Sequence, residues 1–221
     1  MGRGAEASIG PLPDKRGASA VIAPGLFAGL VVYAFVTSIT PGPNNMMLLA
    51  SGVNFGLARS VPHILGISIG YGVMVALVGT GLMAVFDAFP VLHDILRWGG
   101  AAYLVYLAWR IAHSAPPQAG EQRTGRRPMS FLAAAAFQWL NPKAWIMAVG
   151  AITTYLPPQA TALAVVALAS VLAIVNTPCV FVWAAFGVGL RRFLTKPSQV
   201  RVFNIAMAAL LVLSLYPILA H

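Results

Sequence analysis

Long apolar runs separated by short polar stretches dominate this chain. There are six of them, covering approximately residues 22–53, 64–89, 95–112, 131–156, 160–190 and 202–220. Most reach the roughly 20 residues that an α-helix needs to cross a bilayer. They lack the alternation over about ten residues that membrane β-strands show, so helices are the structure that satisfies the backbone in lipid. The pattern predicts an all-α membrane bundle of about six helices.

Composition and charge support a membrane protein. Hydrophobic residues make up 59% of the chain and charged residues 9%, whereas soluble domains have about 45–50% and about 25%. The formal charge of +9 would suggest a nucleic-acid partner in a soluble chain, but here the basic residues flank the apolar runs. We therefore expect a lipid bilayer as the surroundings, with no nucleic acid and no cofactor.

A polar segment, residues 114–128, divides the chain into two membrane halves, 23–113 and 129–221. We interpret it as a basic cytoplasmic linker. Three helices in each half would place the halves upside down relative to each other, as in the inverted repeats of secondary transporters. Residues 1–22 are predicted to be a flexible tail. A cleaved signal peptide is less favoured, because the next apolar run exceeds an h-region of about 7–15 residues.

The distribution of Lys and Arg predicts the orientation. One side of a six-span arrangement carries Arg59, Arg110, Arg123, Arg126, Arg127, Arg191, Arg192, Lys196 and Arg201. The other side carries Arg3, Lys15, Arg16 and Arg97. The first side is therefore predicted to be cytoplasmic. Six spans put the basic tail outside, against this tendency; a re-entrant first run with five true spans is the alternative, and six is favoured.

Two of the runs are interrupted by proline beside asparagine. The first contains Thr40-Pro41-Gly42-Pro43-Asn44-Asn45, and the second contains Gln138-Trp139-Leu140-Asn141-Pro142-Lys143. Proline costs about 3 kcal/mol in a helix interior and is tolerated in hydrocarbon only where other groups satisfy the backbone. Broken helices at corresponding positions of two halves are typical of a transporter's substrate site. The alternative is a kink that only shapes the bundle.

The first break has the groups that could hold a small zwitterion. We expect the Thr40 hydroxyl to cap the following half-helix, a proline to occupy its first position, and Gly42 to permit unusual dihedral angles. The free N–H groups of that helix end favour a carboxylate. The side chains of Asn44 and Asn45 offer donors and acceptors for an ammonium or hydroxyl group.

The second break adds Lys143, predicted to lie near the middle of the bilayer. A lysine there costs about 2.5–3.5 kcal/mol, which makes it a functional candidate. Snorkelling to the interface is an equally weighted alternative. Asn176 precedes Thr177-Pro178 in the fifth run and would complete the site, unless that motif forms only a local kink. The predicted substrate-binding residues are Thr40, Pro41, Gly42, Pro43, Asn44, Asn45, Gln138, Asn141, Pro142, Lys143 and Asn176.

Other chemistry is poorly represented. The acidic residues all fall in tails, loops or run ends: Glu6, Asp14, Asp87, Asp94 and Glu121. No carboxylate proton relay is predicted within the membrane, so proton coupling would need Asp87, Asp94, His63 or Lys143. The histidines are scattered without metal-ligand spacing. Neither a catalytic site nor a metal site is predicted.

The ordered set of motifs resembles the lysine exporter (LysE/RhtB) family of bacterial inner-membrane translocators. The resemblance rests on the two proline breaks and on Gly99-Gly100-Ala101-Ala102-Tyr103-Leu104 with Leu107-Ala108-Trp109-Arg110 between them. It extends from about residue 25 to the end of the chain. It implies export of amino acids or close derivatives from the cytoplasm, driven by the proton gradient.

The resemblance is closest to the branch that exports cysteine and O-acetylserine, with homoserine and threonine export as the nearest rival. The absence of an intramembrane carboxylate favours a neutral substrate over lysine. We therefore predict an alternating-access exporter of neutral amino acids in the bacterial inner membrane, with the amino acid and protons as its partners. The alternatives are a divalent-metal exporter on the same scaffold and a membrane-embedded enzyme. The sequence leaves a homo-oligomer open.

Overall fold

The computed structural model describes residues 24–82, 84, 88–89, 91–114 and 127–216, in which every regular element is helical. The helices are α1 (Pro24–Ile39), α2 (Pro43–Phe55), α3 (Leu57–Leu77), α4 (Val91–Ala112), α5 (Phe131–Phe137), α6 (Pro142–Tyr155), α7 (Ala162–Leu190) and α8 (Pro197–Leu213). A π-helical turn, Val78–Leu82, extends α3, and a 3-10 turn, Gln138–Leu140, follows α5. The all-α prediction is confirmed. The predicted tail at residues 1–22, positions 115–126 of the predicted linker, and Asp87 lie outside the described residues.

Helices α1 and α2 form one helix that is broken at the first proline motif, with a bend of 57°. Pro43 is the first residue of α2, as the pattern predicted. Asn176 of α7 donates to Ser38 Oγ at 3.1 Å before the break. After it, Gly52 packs against Ala184, which lies nearer the end of α7. The chain therefore continues along α7 after the break, which argues against the re-entrant alternative.

Helices α5 and α6 form the second broken helix. The Ser130 side chain begins α5 by accepting a hydrogen bond from Ala133 N at 3.2 Å. After the turn Gln138–Leu140, the Asn141 side chain accepts from Lys143 N at 3.2 Å and so caps α6, which has a proline in its first turn. Both predicted breaks are thus present, each followed by a new helix.

The two broken helices run in opposite directions. Near the middle of α1, the Tyr33 hydroxyl donates to Met147 O at 3.0 Å, and its ring lies 5.8 Å from that of Tyr155 at the end of α6. At the first break, Thr40 O accepts from Lys143 Nζ at 2.6 Å near the start of α6. Rising residue numbers in α1 therefore meet falling numbers in α6, and the two breaks lie side by side.

Two helices begin earlier than the apolar pattern predicted. Helix α3 starts at Leu57 rather than near residue 64, and α8 starts at Pro197 rather than near residue 202. The first turns of α3 contain Ser60 and His63, which are polar and yet only 0% and 2% exposed. A hydropathy pattern assigns such residues to a loop because their burial depends on neighbouring helices. The predicted boundaries were wrong for this reason.

Several helices approach each other closely at glycines. Gly66 and Gly70 of α3, predicted as packing positions, lie against α5; a Cβ at Gly66 would be 2.8 Å from the Ala134 Cβ. Gly52 of α2 and Gly187 of α7 face each other where the two backbones leave no room for a methyl group. Such contacts between small residues stabilise helix pairs in membranes.

The outer surface of the bundle is strongly apolar. On α7, for example, Leu163 and Ile174 are 79% and 70% exposed, as expected for side chains that face lipid. Within the described residues, length and composition allow two helices, Leu57–Leu82 and Ala162–Leu190, to cross a membrane. The bent pair Leu26–Ile39 and Pro43–Phe55 makes a third if it is one span. The predicted total of six exceeds what this criterion supports.

Candidate functional site

The buried polar side chains of the described residues fall into two groups. The first surrounds the two helix breaks and consists of Ser38, Asn45, Ser68, Gln138, Asn141 and Asn176. The second lies where α2 ends and α3 begins, and consists of Ser51, Asn54, Ser60, His63 and Asn204. Buried polar groups are costly unless they are hydrogen-bonded. We call the first group, with Asn44 and Lys143, the break site.

Side chains satisfy the carbonyl groups that the first break frees at the end of α1. Thr40 Oγ1 donates to Thr37 O at 3.0 Å, and Asn45 Nδ2 donates to Ser38 O at 2.9 Å. Trp183 Nε1 of α7 donates to Ile39 O at 3.0 Å. The end of α1 is therefore held by α2 and α7 rather than by water, which explains how proline is tolerated here.

Lys143 reaches across from the second break to the first. Its Nζ donates to Thr40 O at 2.6 Å, to Thr40 Oγ1 at 2.9 Å and to Pro41 O at 3.2 Å. The ammonium thus lies at the negative pole of α1, where a cation is favoured. This position rules out snorkelling to the interface in this structure. Lys143 links the two broken helices electrostatically.

Gly42 provides the space through which the Lys143 side chain passes. A Cβ at Gly42 would lie 2.6 Å from Lys143 Cδ and 3.3 Å from its Nζ. The backbone of Gly42 is extended, with φ −179°, so the absence of a side chain matters here rather than unusual dihedral angles. That part of the prediction for Gly42 was wrong.

The two half-helices begin differently. Gly42 is the N-cap residue of α2, and no side chain caps this end. The prediction that Thr40 caps α2 was wrong, because its hydroxyl donates backwards to Thr37 O and accepts from Lys143. Asn141, by contrast, caps α6. The N-terminus of α2 is therefore the one that keeps its N–H groups free of a side-chain cap.

An amide pair joins the two breaks directly. Asn44 Nδ2 donates to Gln138 Oε1 at 2.9 Å, and Gln138 Nε2 donates to Asn44 Oδ1 at 3.3 Å. Gln138 also donates to Ala134 O at 2.9 Å, within its own helix. The two amides lie at the start of α2 and at the end of α5, so their contact fixes the relative positions of the two broken helices.

We expect Asn44→Ala and Gln138→Ala to show coupled effects on stability. Interhelical hydrogen bonds in membranes contribute about 0.6 kcal/mol on average and up to about 1.7 kcal/mol. Because each single variant already removes the pair, the double variant should be less destabilised than the sum of the single ones by about that amount. Thermal unfolding of the purified variants in detergent measures this.

The matched control combines Asn44→Ala with Ser170→Ala. Ser170 is exposed, and its hydroxyl bonds only to Val166 O of its own helix. These two changes should be additive. Additive losses for Asn44 and Gln138 would show that the amide pair does not join the breaks.

A second polar chain extends the break site to α3 and α7. Ser68 Oγ donates to Asn176 Oδ1 at 3.4 Å, and Asn176 Nδ2 donates to Ser38 Oγ. Thr177 donates to Ala173 O at 2.8 Å, so it forms only the local bond that the alternative interpretation expected. Helix α7 continues through Pro178 without a break. Asn176 therefore faces the site while its neighbour does not.

Sequence reasoning missed three side chains at this site. Ser38 and Tyr71 line it together with the predicted residues, and Ser68 bonds to Asn176. The Tyr71 hydroxyl is buried and has no hydrogen-bond partner in the described part of the chain. A serine two residues before the first break was the available signal for Ser38. Ser68 and Tyr71 lie on an unbroken helix that had no such signal.

The structure brings all the predicted site residues to the same place. Those that line its cavity are Gly42, Asn44, Asn45, Gln138, Asn141, Lys143 and Asn176. Thr40 and Pro41 supply acceptors for Lys143, whereas Pro43 and Pro142 begin the half-helices. The cavity has a volume of about 20 Å³, room for about one water molecule. The site is closed in this structure.

Metal and nucleophile chemistry find little support in the described residues. Among them, no three His, Cys, Asp or Glu side chains come together. Cys179 is buried. Trp139 and Trp145 pack edge to face, with their rings 6.0 Å apart, and Trp145 Nε1 donates to Trp139 O.

An apolar helical bundle with two opposed, broken helices that meet at a polar site defines a membrane translocator. Residues 35–214 match the family described as LysE type translocator. Because this match covers most of the chain, the protein belongs to the LysE family. The predicted family is confirmed, and the protein is a transporter rather than an enzyme.

Individual relatives agree with this family. The chain is similar to proteins named cysteine/O-acetylserine efflux protein from Escherichia coli (strain K12), Escherichia coli O6:K15:H31 (strain 536 / UPEC) and Shigella sonnei (strain Ss046). Each is 36% identical over 193 residues, which cover 86% of this chain and 95% of the relative. No solved structure matches the chain.

Proposed function

We propose that this protein exports small neutral amino acids or their derivatives, of the cysteine/O-acetylserine or homoserine/threonine type, from the bacterial cytoplasm. The observation that carries the proposal is the meeting of two opposed helix breaks around buried amides and one ammonium group. The names of the relatives, cysteine/O-acetylserine efflux proteins, support the substrate class. The protein acts as a multi-pass component of the inner membrane.

The break site suggests how a zwitterion is held. Its carboxylate binds at the N-terminus of α2, which lacks a side-chain cap and has the positive end of the helix dipole. Its ammonium group binds the amide oxygens of Asn44 and Gln138, beside the Tyr71 hydroxyl. Lys143 stays nearby and adds positive charge on the carboxylate side. No carboxylate lines the site among the described residues, which favours a neutral side chain over a cationic one.

Transport proceeds by alternating access between two inverted three-helix halves, with six spans in all. The opposed course of the two broken helices supports this arrangement, because inverted repeats place such helices antiparallel with the site between them. The closed break site corresponds to an occluded conformation. Export against a gradient is driven by the proton gradient.

The test is mass-spectrometric profiling of amino acids inside and outside cells that express the chain. We expect faster extracellular accumulation of one or two neutral amino acids than in cells with the empty vector. Asn176→Ala should abolish it, because Asn176 lines the site and bonds to Ser38 and Ser68. Thr177→Val is the matched control, because the Thr177 hydroxyl bonds only within α7. Unchanged profiles with wild-type protein in the membrane would contradict the proposal.

A further inference from the structure

A second, larger cavity lies at the end of the bundle where α2 ends and α3 begins. Its volume is about 170 Å³, room for roughly ten water molecules and therefore for an amino acid with a short side chain. Helices α2, α3 and α4 and residues 127–129 form its wall. We call it the basic-end cavity, and the lining residues with polar heads are Ser51, Asn54, His63, Arg110, His113, Ser114 and Arg127.

His63 is the unusual member of this wall. Its side chain is 2% exposed, and neither ring nitrogen has a hydrogen-bond partner in the described part of the chain. The neighbouring buried hydroxyls are satisfied, since Ser51 and Ser60 bond to each other at 2.7 Å. An unpartnered buried imidazole is costly unless a ligand or water completes it. Its position in the wall of a cavity suggests that the partner comes from the cavity.

A network of amides holds the shape of the cavity. Asn54 Nδ2 donates to Asn204 Oδ1 at 2.8 Å, and Asn204 Nδ2 returns a bond to Asn54 Oδ1 at 3.2 Å. Asn204 also donates to Ser114 O at 3.1 Å. These bonds join the ends of α2 and α4 to α8. The cavity wall is therefore preorganised rather than a gap between loosely packed helices.

The charge of the wall indicates the class of ligand. Arg110 and Arg127 both line the cavity, and no acidic residue does so in the described part of the chain. Two guanidinium groups favour a carboxylate, which arginine binds through paired hydrogen bonds. A neutral imidazole nitrogen of His63 can accept a hydrogen bond from an ammonium group. Together these groups suit a small zwitterion or anion and disfavour a cation.

Helix α2 connects this cavity with the break site. Asn44 lines the break site, and Met47, one turn further along α2, lines the basic-end cavity. Met47 and Leu107 pack in one buried cluster with Phe137, the residue before Gln138. A thin apolar layer thus separates the two sites. A substrate that leaves the cavity through this layer would reach the Asn44–Gln138 pair next.

We propose that the basic-end cavity is a capture site, where the zwitterionic substrate first binds from the cytoplasm before it moves to the break site. Arg110 and Arg127 hold its carboxylate and His63 binds its ammonium group. The inference rests on the proposed export function. It adds a second binding site, with its own residues, on the side of the membrane that the positive-inside tendency makes cytoplasmic.

The test uses inverted membrane vesicles, in which the cytoplasmic face is outside, and measures initial uptake of radiolabelled O-acetylserine over a range of concentrations. The Arg110→Gln, Arg127→Gln double variant should raise KM about tenfold or more with little change in the maximal rate, since charge-assisted hydrogen bonds are lost. The control is Arg191→Gln, Arg192→Gln, which removes equal charge at the same end from residues outside the cavity wall. Its KM should stay within about twofold of wild type, as expected for exposed charges.

His63 gives an independent readout. His63→Leu should raise KM, whereas His63→Gln keeps a polar head and should retain a KM nearer to that of wild type. Membrane levels and gel-filtration profiles of each variant establish that it folds. An unchanged KM in a folded double arginine variant, or an equal rise in the Arg191, Arg192 control, would overturn the capture site. Absence of uptake by the wild-type protein would instead overturn the proposed export function.

Discussion

Replacing Lys143 with methionine should abolish transport while the protein still inserts and folds. The ammonium group donates to three acceptors at the first break and links the two broken helices. Methionine keeps much of the side-chain length and apolar volume but leaves Pro41 O without this donor. Losing a charged hydrogen bond to a partly buried group costs about 1.5–3 kcal/mol, which corresponds to a loss of at least about tenfold in rate if it falls on the transport cycle. Efflux from cells loaded with the substrate measures this loss.

Two further variants separate the position of the charge from its presence. Lys196→Met removes one lysine from an exposed position at the start of α8 and should leave efflux unchanged. Gly42→Ala keeps Lys143 but places a methyl group 2.6 Å from its Cδ. The flexible lysine can move aside, so this variant should fold and yet lose most of its transport. Normal efflux by Lys143→Met would exclude an essential role for the ammonium group.

Gly187→Leu should prevent the protein from reaching its folded state. Gly187 lies against the backbone of Leu49 and Gly52, with no space for a side chain. Overpacking costs typically 1–3 kcal/mol, and a backbone contact cannot relax without moving α2 away from α7. A cost of about 3 kcal/mol corresponds to a fall of roughly 6–12 °C in the melting temperature of a chain of this size. Fluorescence-detected gel filtration after heating provides the measurement.

Gly189→Leu is the matched control for this prediction. It lies two residues further along the same helix, and a Cβ there would meet nothing within 4 Å. The control should have a melting temperature close to that of wild type. If Gly187→Leu were as stable as Gly189→Leu, the close approach of α2 and α7 would be wrong, and with it the position of the first break.

The sequence predicted those features of the site that depend on local chemistry. Proline lacks an N–H group and suits the first turn of a helix, so Pro43 and Pro142 located the starts of α2 and α6. The buried amides Asn44, Gln138 and Asn176 were identified because polar residues are rare in apolar runs. The family resemblance rested on the same motifs.

The individual roles could not be predicted because they depend on contacts between distant segments. Lys143 was expected to bind substrate or to snorkel, yet it binds carbonyl groups of a break about a hundred residues earlier. Asn45 was expected to face substrate, and its amide instead satisfies Ser38 O and Thr40 O. His63 looked like a residue outside the membrane run until α3 was found to begin before it. These outcomes follow from packing, which periodicity does not describe.

The central claim, that this protein moves neutral amino acids through the break site, is tested most directly with purified protein in liposomes. The vesicles are loaded with radiolabelled O-acetylserine, threonine or lysine, and a proton gradient is imposed across them. We predict rapid loss of a neutral amino acid and slow loss of lysine, with Lys143→Met at the level of protein-free vesicles. Equal and slow loss of all three from wild-type vesicles, or unimpaired flux in Lys143→Met, would contradict this account.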